Sequence, residues 1–336
     1  MKLMRLIYFL YYLKQLDKEK FHKFLNYTHK QTGKSKMKIL IDLFRDSLKY
    51  NISILEYFQF RFFEITDEVK KQWAGTGYMY EYQLVMNPKN KRDILDDKRL
   101  FFKKYNQFFI HNVADLKELK SNPEIFNLFK NTPSQKMVFK VSDGKCGVGV
   151  KIEPVSKFQF VQDVIQYMKE HSMDLVEEFI IQHDDLNRLS PSAVNTVRIF
   201  TQLTDENKVE ILGCRQRISI NNSVDNLAAG NVAAPIDEES GIINGKAIYG
   251  DITKEPIGTH PVTGVKIEGF QVPFWKECLQ LAKEAALAHP QNRSIGWDIV
   301  VTNEGPGLIE GNHDWCKLVW QLPVAKGLKN MVVKHV

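Results

Sequence analysis

Residues 1 to about 75 carry their apolar positions at helical spacing. Leu3, Leu6, Ile7, Leu10 and Leu13 form one stripe, with Lys2, Arg5 and Lys14 off it, and this predicts an amphipathic helix. Met37–Leu48 and Ile54–Phe63 continue in the same style. The second has a face rich in rings (Tyr57, Phe58, Phe60, Phe62 and Phe63). Rings with polar tips also suit a membrane interface, but the face reads first as core between packed helices. Asn87-Pro88-Lys89-Asn90 is dense in turn formers and breaks the pattern. Beyond it the apolar runs shorten to strand length. Strands are expected at 137–141, 148–154, 174–179, 194–203, 209–220, 294–301 and 307–310. Helices are expected at 158–170 and 274–289, the latter stopped by Pro290. Mixed, mostly antiparallel strands with helices between them predict an α+β fold rather than a doubly wound sheet.

Composition narrows the classes. The 336 residues are 43% hydrophobic and 26% charged, ordinary for a soluble chain of one large or two medium domains. No apolar run nears the roughly 20 residues that cross a bilayer, and no small-residue cleavage site follows Leu6–Leu13. A cytoplasmic protein is therefore expected. Cys146, Cys214, Cys278 and Cys316 are scattered, without zinc-site or redox spacing. Net charge is +6, but residues 1–100 hold 20 Lys and Arg against 12 Asp and Glu, a net +8, and the rest sums to −2. An anionic or membrane-associated partner would meet the N-terminal third first. Nucleic acid is not expected, because no recognition motif stands behind the charge.

Three stretches carry chemistry. Lys140 precedes a glycine loop with Gly144, Gly147 and Gly149, and backbone N–H groups beside a lysine can hold triphosphate. Lys145 is followed by Cys146, which excludes a Walker loop, and Val150-Lys151-Ile152 continues as strand, which excludes a dinucleotide fingerprint. A β-hairpin flap over phosphates remains. In the second stretch, Asp298 lies on one strand and Glu310 and Asn312 on the next, around a hairpin centred on Gly305. Residues two apart share a strand face, so with Asp298 opposite Asn312 three oxygen-bearing side chains converge, as Mg²⁺ requires. The third stretch is a strand ending Glu177-Glu178-Phe179-Ile180, followed by Asp184. It suits a hinge that bonds adenine through its backbone and ribose through a carboxylate.

In that order these motifs resemble the ATP-grasp superfamily. Ser192–Arg198, Val224–Asn231 and Gly305–Asn312 resemble, more narrowly, the sugar-transfer-associated ATP-grasp family linked to polysaccharide biosynthesis. The resemblance implies two α+β subdomains gripping ATP over residues 95–336, divided at 180/181, after a helix-rich region 1–94. It implies phosphate contacts from Lys98 and Lys140, and adenine and ribose contacts from Glu177, Glu178, Phe179, Ile180 and Asp184. Asp298, Glu310 and Asn312 would hold two Mg²⁺, with Arg198, and Arg215 or Arg217, at the γ-phosphate. Cys146, Asn231 and His313-Asp314-Trp315 depart from the family pattern, the last beside the acceptor site. The expected activity is an ADP-forming carboxylate–amine ligase acting through an acylphosphate, with a small amine or amino acid and a sugar or uronic acid as substrates. The alternatives are a kinase-type phosphotransferase and a non-catalytic nucleotide-binding partner of a biosynthetic complex. Protein-kinase chemistry is not expected, because its His-Arg-Asp and Asp-Phe-Gly motifs do not occur.

Overall fold

In the N-terminal third, short polar caps divide the apolar periodicity into α1 (Lys2–Lys14), α2 (Lys18–Thr32), α3 (Lys36–Tyr50), α4 (Ile54–Gln59), α5 (Asp67–Lys70) and α6 (Thr76–Met86). The computed structural model describes residues 2–142, 144 and 149–335. Asp17 caps α2 by accepting from the Lys20 N–H, and Gly33 ends it at φ 68°, a conformation glycine takes without steric cost. The aromatic run leaves the helix at Gln59, earlier than its periodicity predicts. Its five rings are buried all the same, with Phe60 stacked on Trp73 at 4.4 Å. α1 is different. Phe9 points into the core, whereas Leu6, Ile7, Leu10 and Leu13 of the predicted stripe are exposed.

α7 (Asp93–Asp96) and α8 (Lys98–Tyr105) lead into a first antiparallel sheet. It consists of β1 (Val113–Asp115), β2 (Lys136–Lys140), β3 (Lys151–Pro154) and β4 (Leu175–Glu178), in the order β1-β4-β2-β3. Alternation sends Met137, Phe139 and Val176 into a core shared with α9 (Leu116–Ser121), α10 (Ile125–Lys130) and α11 (Val161–Glu170). Val138, Lys140, Ile152 and Glu177 are left on the opposite face. The chain then passes through α12 (Asp184–Leu189) into the second sheet.

That sheet contains β5 (Val197–Leu203), β6 (Val209–Ile218), β7 (Val232–Ile236), β8 (Ile248–Tyr249), β9 (Ser294–Thr302) and β10 (Gly305–Asn312). Every pairing is antiparallel, in the order β10-β9-β5-β6-β7-β8. One face, with Val197, Ile199, Trp297 and Ile299, packs on Ala282 and Ala285 of α13 (Trp275–Ala288). Phe200, Leu212 and Ala233, on the other face, are covered by Met79, Tyr82 and Met86 of α6 and by Trp315 and Trp320. The second tryptophan belongs to α14 (Lys317–Gln321). Beyond Phe200 the same face turns polar, with Arg198 and Asp298 buried on it.

The turn predicted at Asn87 is locked to the sheet. Its buried amide donates to Ser294 O at 2.8 Å and His313 O at 3.1 Å, and accepts from Ser294 N at 3.2 Å. Gly296 allows Trp315 to lie against β9, since a Cβ there would stand 2.7 Å from the Trp315 Cβ. Asn87→Ala would leave buried backbone groups unpaired and should cost about 1–3 kcal/mol in urea denaturation. An unchanged midpoint would show that α6 is held to β9 by other means.

Candidate active site

Two strands at the edge of the second sheet carry the acidic cluster, and a β-bulge sets its geometry. From the turn, Thr302 pairs with Gly305 and Ile299 with Leu308. The register then slips by one, so that Asp298 faces Glu310 and Gly296 faces Asn312. The expected pairing of Asp298 with Asn312 is corrected by this slip. Without the bulge, Asp298 would lie opposite Ile309, and Glu310 would point to the α13 side with Trp297. With it, Asp298, Glu310 and Asn312 share one face. Asn312 Nδ2 donates to Glu310 Oε1 at 3.1 Å.

Two arginines converge on the same carboxylate. Arg198 on β5 grips Asp298 through Nε and, at 2.8 Å, through NH2. Arg217 on β6 donates to Asp298 Oδ2 at 2.8 Å and pairs with Asp225 at 2.6 Å. Burial alone would raise the Asp298 pKa, but the two guanidinium charges and their hydrogen bonds hold it well below the usual carboxylate range. Arg215 does not join them. Its guanidinium donates to the carbonyls of Cys214 and Trp320, where it ties β6 to α14, and burial without a carboxylate contact pulls its pKa down to about 10. The catalytic expectation for Arg215 is therefore withdrawn.

Sequence reasoning did not single out Asp225 or Thr196 as site residues. Asp225 Oδ2 accepts from the Thr196 N–H at 2.8 Å and its hydroxyl at 2.6 Å, which orients the acid for Arg217. Asn231, a departure from the family pattern, is fully buried and bonds Ile220 N, Val224 O and Asn226 O, so it shapes the loop that carries Asp225.

The open face of the first sheet holds the second cluster. Lys140 pairs directly with Glu177, and His111 Nε2 lies 3.6 Å from the same carboxylate. Burial pushes the Glu177 pKa up, yet the charge of Lys140 and the His111 contact outweigh it and hold the group at about 2. His111 is a residue the sequence did not flag, and neither of its ring nitrogens has a hydrogen-bond partner among the described residues. Val138 and Ile152 give the same face an apolar floor, with Ile152 half exposed. Glu178 points the other way and holds Asn112 at 2.9 Å.

Beyond β4 the Phe179 N–H bonds Lys136 O at 3.1 Å, while the N–H groups of Ile180 and Ile181 have no acceptor among the described residues. His183 N docks on Val301 O at 2.7 Å, and the Asp184 N–H donates to Asn303 Oδ1 at 3.1 Å, leaving the Asp184 side chain exposed. Lys98 opens α8, whose Phe101 packs against Gly311 of β10, and its ammonium bonds the carbonyls of Ser142 and Gly144 after β2. Lys98 and Gly144 thus join the two sheets on one side, and the 179–184 crossing joins them on another. Gly147 lies outside the described residues. A depression of about 450 Å³ along α13, between Lys276 and Pro306, belongs to the opposite side of the second sheet and gathers none of these groups.

The donor set fits a divalent cation. Two carboxylates and an amide oxygen are hard ligands of the kind Mg²⁺ takes. Asp298 is gripped directly by two guanidinium groups, whereas Glu310 accepts from the Asn312 amide and feels the Arg198 charge without a salt bridge among the described residues. Burial first, and the Asp298 charge second, raise the Glu310 pKa. A carboxyl whose folded pKa is raised binds its proton more tightly when folded, so its ionisation costs stability as pH rises through that pKa. Glu310→Gln should therefore be more stable than the parent at pH 7, with the gap closing below the ordinary carboxyl range, as read by thermal melts across pH without added metal. A less stable variant at pH 7 would give Glu310 a structural role.

The profile of the family described as "Sugar-transfer associated ATP-grasp" matches residues 78–336. None of the curated proteins matches the sequence. Among solved structures the chain is similar to D-alanine–D-alanine ligase from Bacillus anthracis, with 14% identity over 72% of this chain and 67% of that one and a TM-score of 0.39. It is also similar to the D-cycloserine synthetase DcsG, with 10% identity over 84% and 82% and a TM-score of 0.42. A third likeness is the biotin carboxylase domain of a Hydrogenobacter thermophilus 2-oxoglutarate carboxylase in complex with MgADP, ADP and bicarbonate. There the identity is 14%, the coverage 69% of this chain and 46% of that one, and the TM-score 0.38. This chain spans less than half the length of that carboxylase chain. With more than half of its residues matched, the chain belongs to the sugar-transfer associated ATP-grasp family.

Proposed function

We propose that the protein is an ATP- and Mg²⁺-dependent, ADP-forming carboxylate–amine ligase whose acceptor is a sugar-borne or other small carboxylate. The observation that carries this reading is the face shared by Asp298, Glu310 and Asn312, with Arg198 and Arg217 beside it, in a chain of this family.

Each cluster suits one part of the nucleotide. Val138 and Ile152 offer apolar surface to a base, the free N–H groups at Ile180 and Ile181 offer donors to its ring edge, and exposed Asp184 offers a carboxylate to the ribose hydroxyls. Lys140, released from Glu177, would meet the α- and β-phosphates, with Lys98 steadying the loop above them. Glu177, once released, can accept from an amino group on the base. Asp298, Glu310 and Asn312 would hold up to two Mg²⁺, whose chemistry is to neutralise phosphate charge and align the γ-phosphoryl group.

In the reaction, a carboxylate oxygen of the acceptor attacks the γ-phosphorus, the bond to the β–γ bridging oxygen breaks, and ADP leaves. The amine then attacks the acyl carbon, the bond to phosphate breaks, and the amine gives up a proton as the amide forms. Arg198 and Arg217 are permanent cations at the point where charge accumulates on the transferring oxygens, and they contribute electrostatic stabilisation without covalent chemistry. A uronic acid is the proposed acceptor class and an amino acid the proposed donor class.

A screen of amino acids against uronic acids, read by ADP release and by trapping the activated acyl group with hydroxylamine, tests the proposal. AMP in place of ADP, or a stable phosphorylated product made without amine, would overturn it. Glu310→Ala should lower ADP formation by at least about a hundredfold, in line with the several kcal/mol a metal supplies. Activity within a few-fold of the parent would remove Glu310 from the site.

A further inference from the structure

The exposed face of α1 has a continuation on α3. Arg5, near the start of α1, donates to Leu48 O at 3.1 Å and Lys49 O at 2.8 Å, near the end of α3, and the Phe9 and Phe44 rings meet edge to face at 5.0 Å. The two helices therefore run antiparallel, which brings the Leu13 end of α1 alongside the Met37 end of α3. On the outer side of this pair Leu6, Leu10 and Leu13 are 40%, 57% and 45% exposed, and Met37, Ile41 and Phe44 are 66%, 60% and 46% exposed. The α3 residues are spaced i, i+4, i+7, one face of a helix. Scattered exposed leucines need no explanation, but a contiguous apolar patch built from two helices marks an interaction surface.

Charge identifies the partner. The first 50 residues hold 12 Lys and Arg against 4 Asp and Glu, a net +8 that exceeds the +6 of the whole chain. α1 has no acidic residue. Lys14, Lys36 and Lys38 flank the end of the patch where Leu13 meets Met37, all exposed and none paired with a carboxylate among the described residues. The acids on α1 to α3 are largely neutralised. Asp17 pairs with Lys20 at 3.3 Å, Asp42 with Arg45 at 3.2 Å and buried Asp46 with Lys70 at 2.8 Å, which leaves Glu19 on α2 and, from α6, Glu81, which accepts from the Tyr8 hydroxyl at 3.4 Å. Among the described residues no helix is long and apolar enough to cross a membrane, so contact with lipid would have to lie in its surface. We propose that this face of α1 and α3 docks on an anionic lipid surface. Its leucines, Met37, Ile41 and Phe44 enter the acyl boundary, and Lys14, Lys36 and Lys38 sit at the headgroup phosphates. The proposal stands independently of the ligase reading.

The test is co-sedimentation of the full chain with vesicles of phosphatidylcholine alone and of phosphatidylcholine mixed with phosphatidylglycerol. Binding should favour the anionic vesicles and weaken with added salt. Leu10→Glu combined with Ile41→Glu should lower it at least about tenfold, and replacement of Lys14, Lys36 and Lys38 by Gln should lower it roughly fivefold per lysine. Val262→Glu, at an exposed apolar position on another part of the chain, should leave it unchanged. Circular dichroism of each variant checks that the fold persists, and these positions are solvent-facing. Equal binding to both vesicle types, or none, would overturn the proposal. So would a dimer seen by light scattering that the Leu10/Ile41 variant abolishes, because the patch would then belong to a second copy.

Discussion

The acidic end of the second sheet is organised around one buried carboxylate, Asp298, held between Arg198 and Arg217. Taking an anion out of water is costly, and two guanidinium groups on neighbouring strands offset that cost by fixing it from both sides. The grip ties β9 to β5 and β6, while the bulge at Ile309 turns Glu310 into the same space. Counted formally, Arg198, Arg217, Asp225, Asp298 and Glu310 sum to −1. One divalent cation reverses that sign. Under the proposed function, Asp298, Glu310 and Asn312 would hold Mg²⁺, whose charge would offset this excess toward a triphosphate, with Arg198 and Arg217 as the adjacent cations.

Much of this arrangement was readable in the sequence, and the failures have physical causes. Apolar runs of strand length marked β2, β4, β5, β6 and β9, their mixture with helices gave the α+β class, and the order of motifs gave the family. The register at Asp298 was not readable, since nothing in Ile309 announces a bulge and a one-residue slip moves a whole strand segment to the other face. Arg198 on β5 was expected at the γ-phosphate with either Arg215 or Arg217 of β6, and that choice stayed open for a similar reason. All lie on one face, but α14 and its Trp320 carbonyl cover only the Arg215 end. That cover is a tertiary fact with no local signature. Strand β1, three residues long, is too short for any period to show.

The first sheet makes the same point in another way. Lys140 and Glu177 stand out in the sequence as separate contributors, yet register places both on the open face, where they satisfy each other. His111 comes from the loop before β1 and reaches Glu177 only because β1 pairs with β4. A lone histidine in a loop carries no signal until that pairing is known. Among the described residues neither ring nitrogen finds a hydrogen bond, and the ring sits buried beside the Glu177 carboxylate.

The N-terminal helices show why an apolar stripe alone does not tell inside from outside. α1 has apolar residues on nearly all sides, and burial is decided by what lies beneath it: Phe9 reaches Phe44, and Tyr8 meets Tyr80 of α6 at 6.3 Å. α6 in turn buries Met79, Tyr82 and Met86 against the sheet face that carries the acidic cluster, with Tyr82 bonded to Ser294 at 2.9 Å. A chain of direct packing thus runs from α1 through α6 to β9, four residues from Asp298. The leucines pointing away from that stack stay exposed, and burying them inward would require Phe9 and Tyr8 to give up their contacts. Their exposure is a consequence of how the sheet is covered.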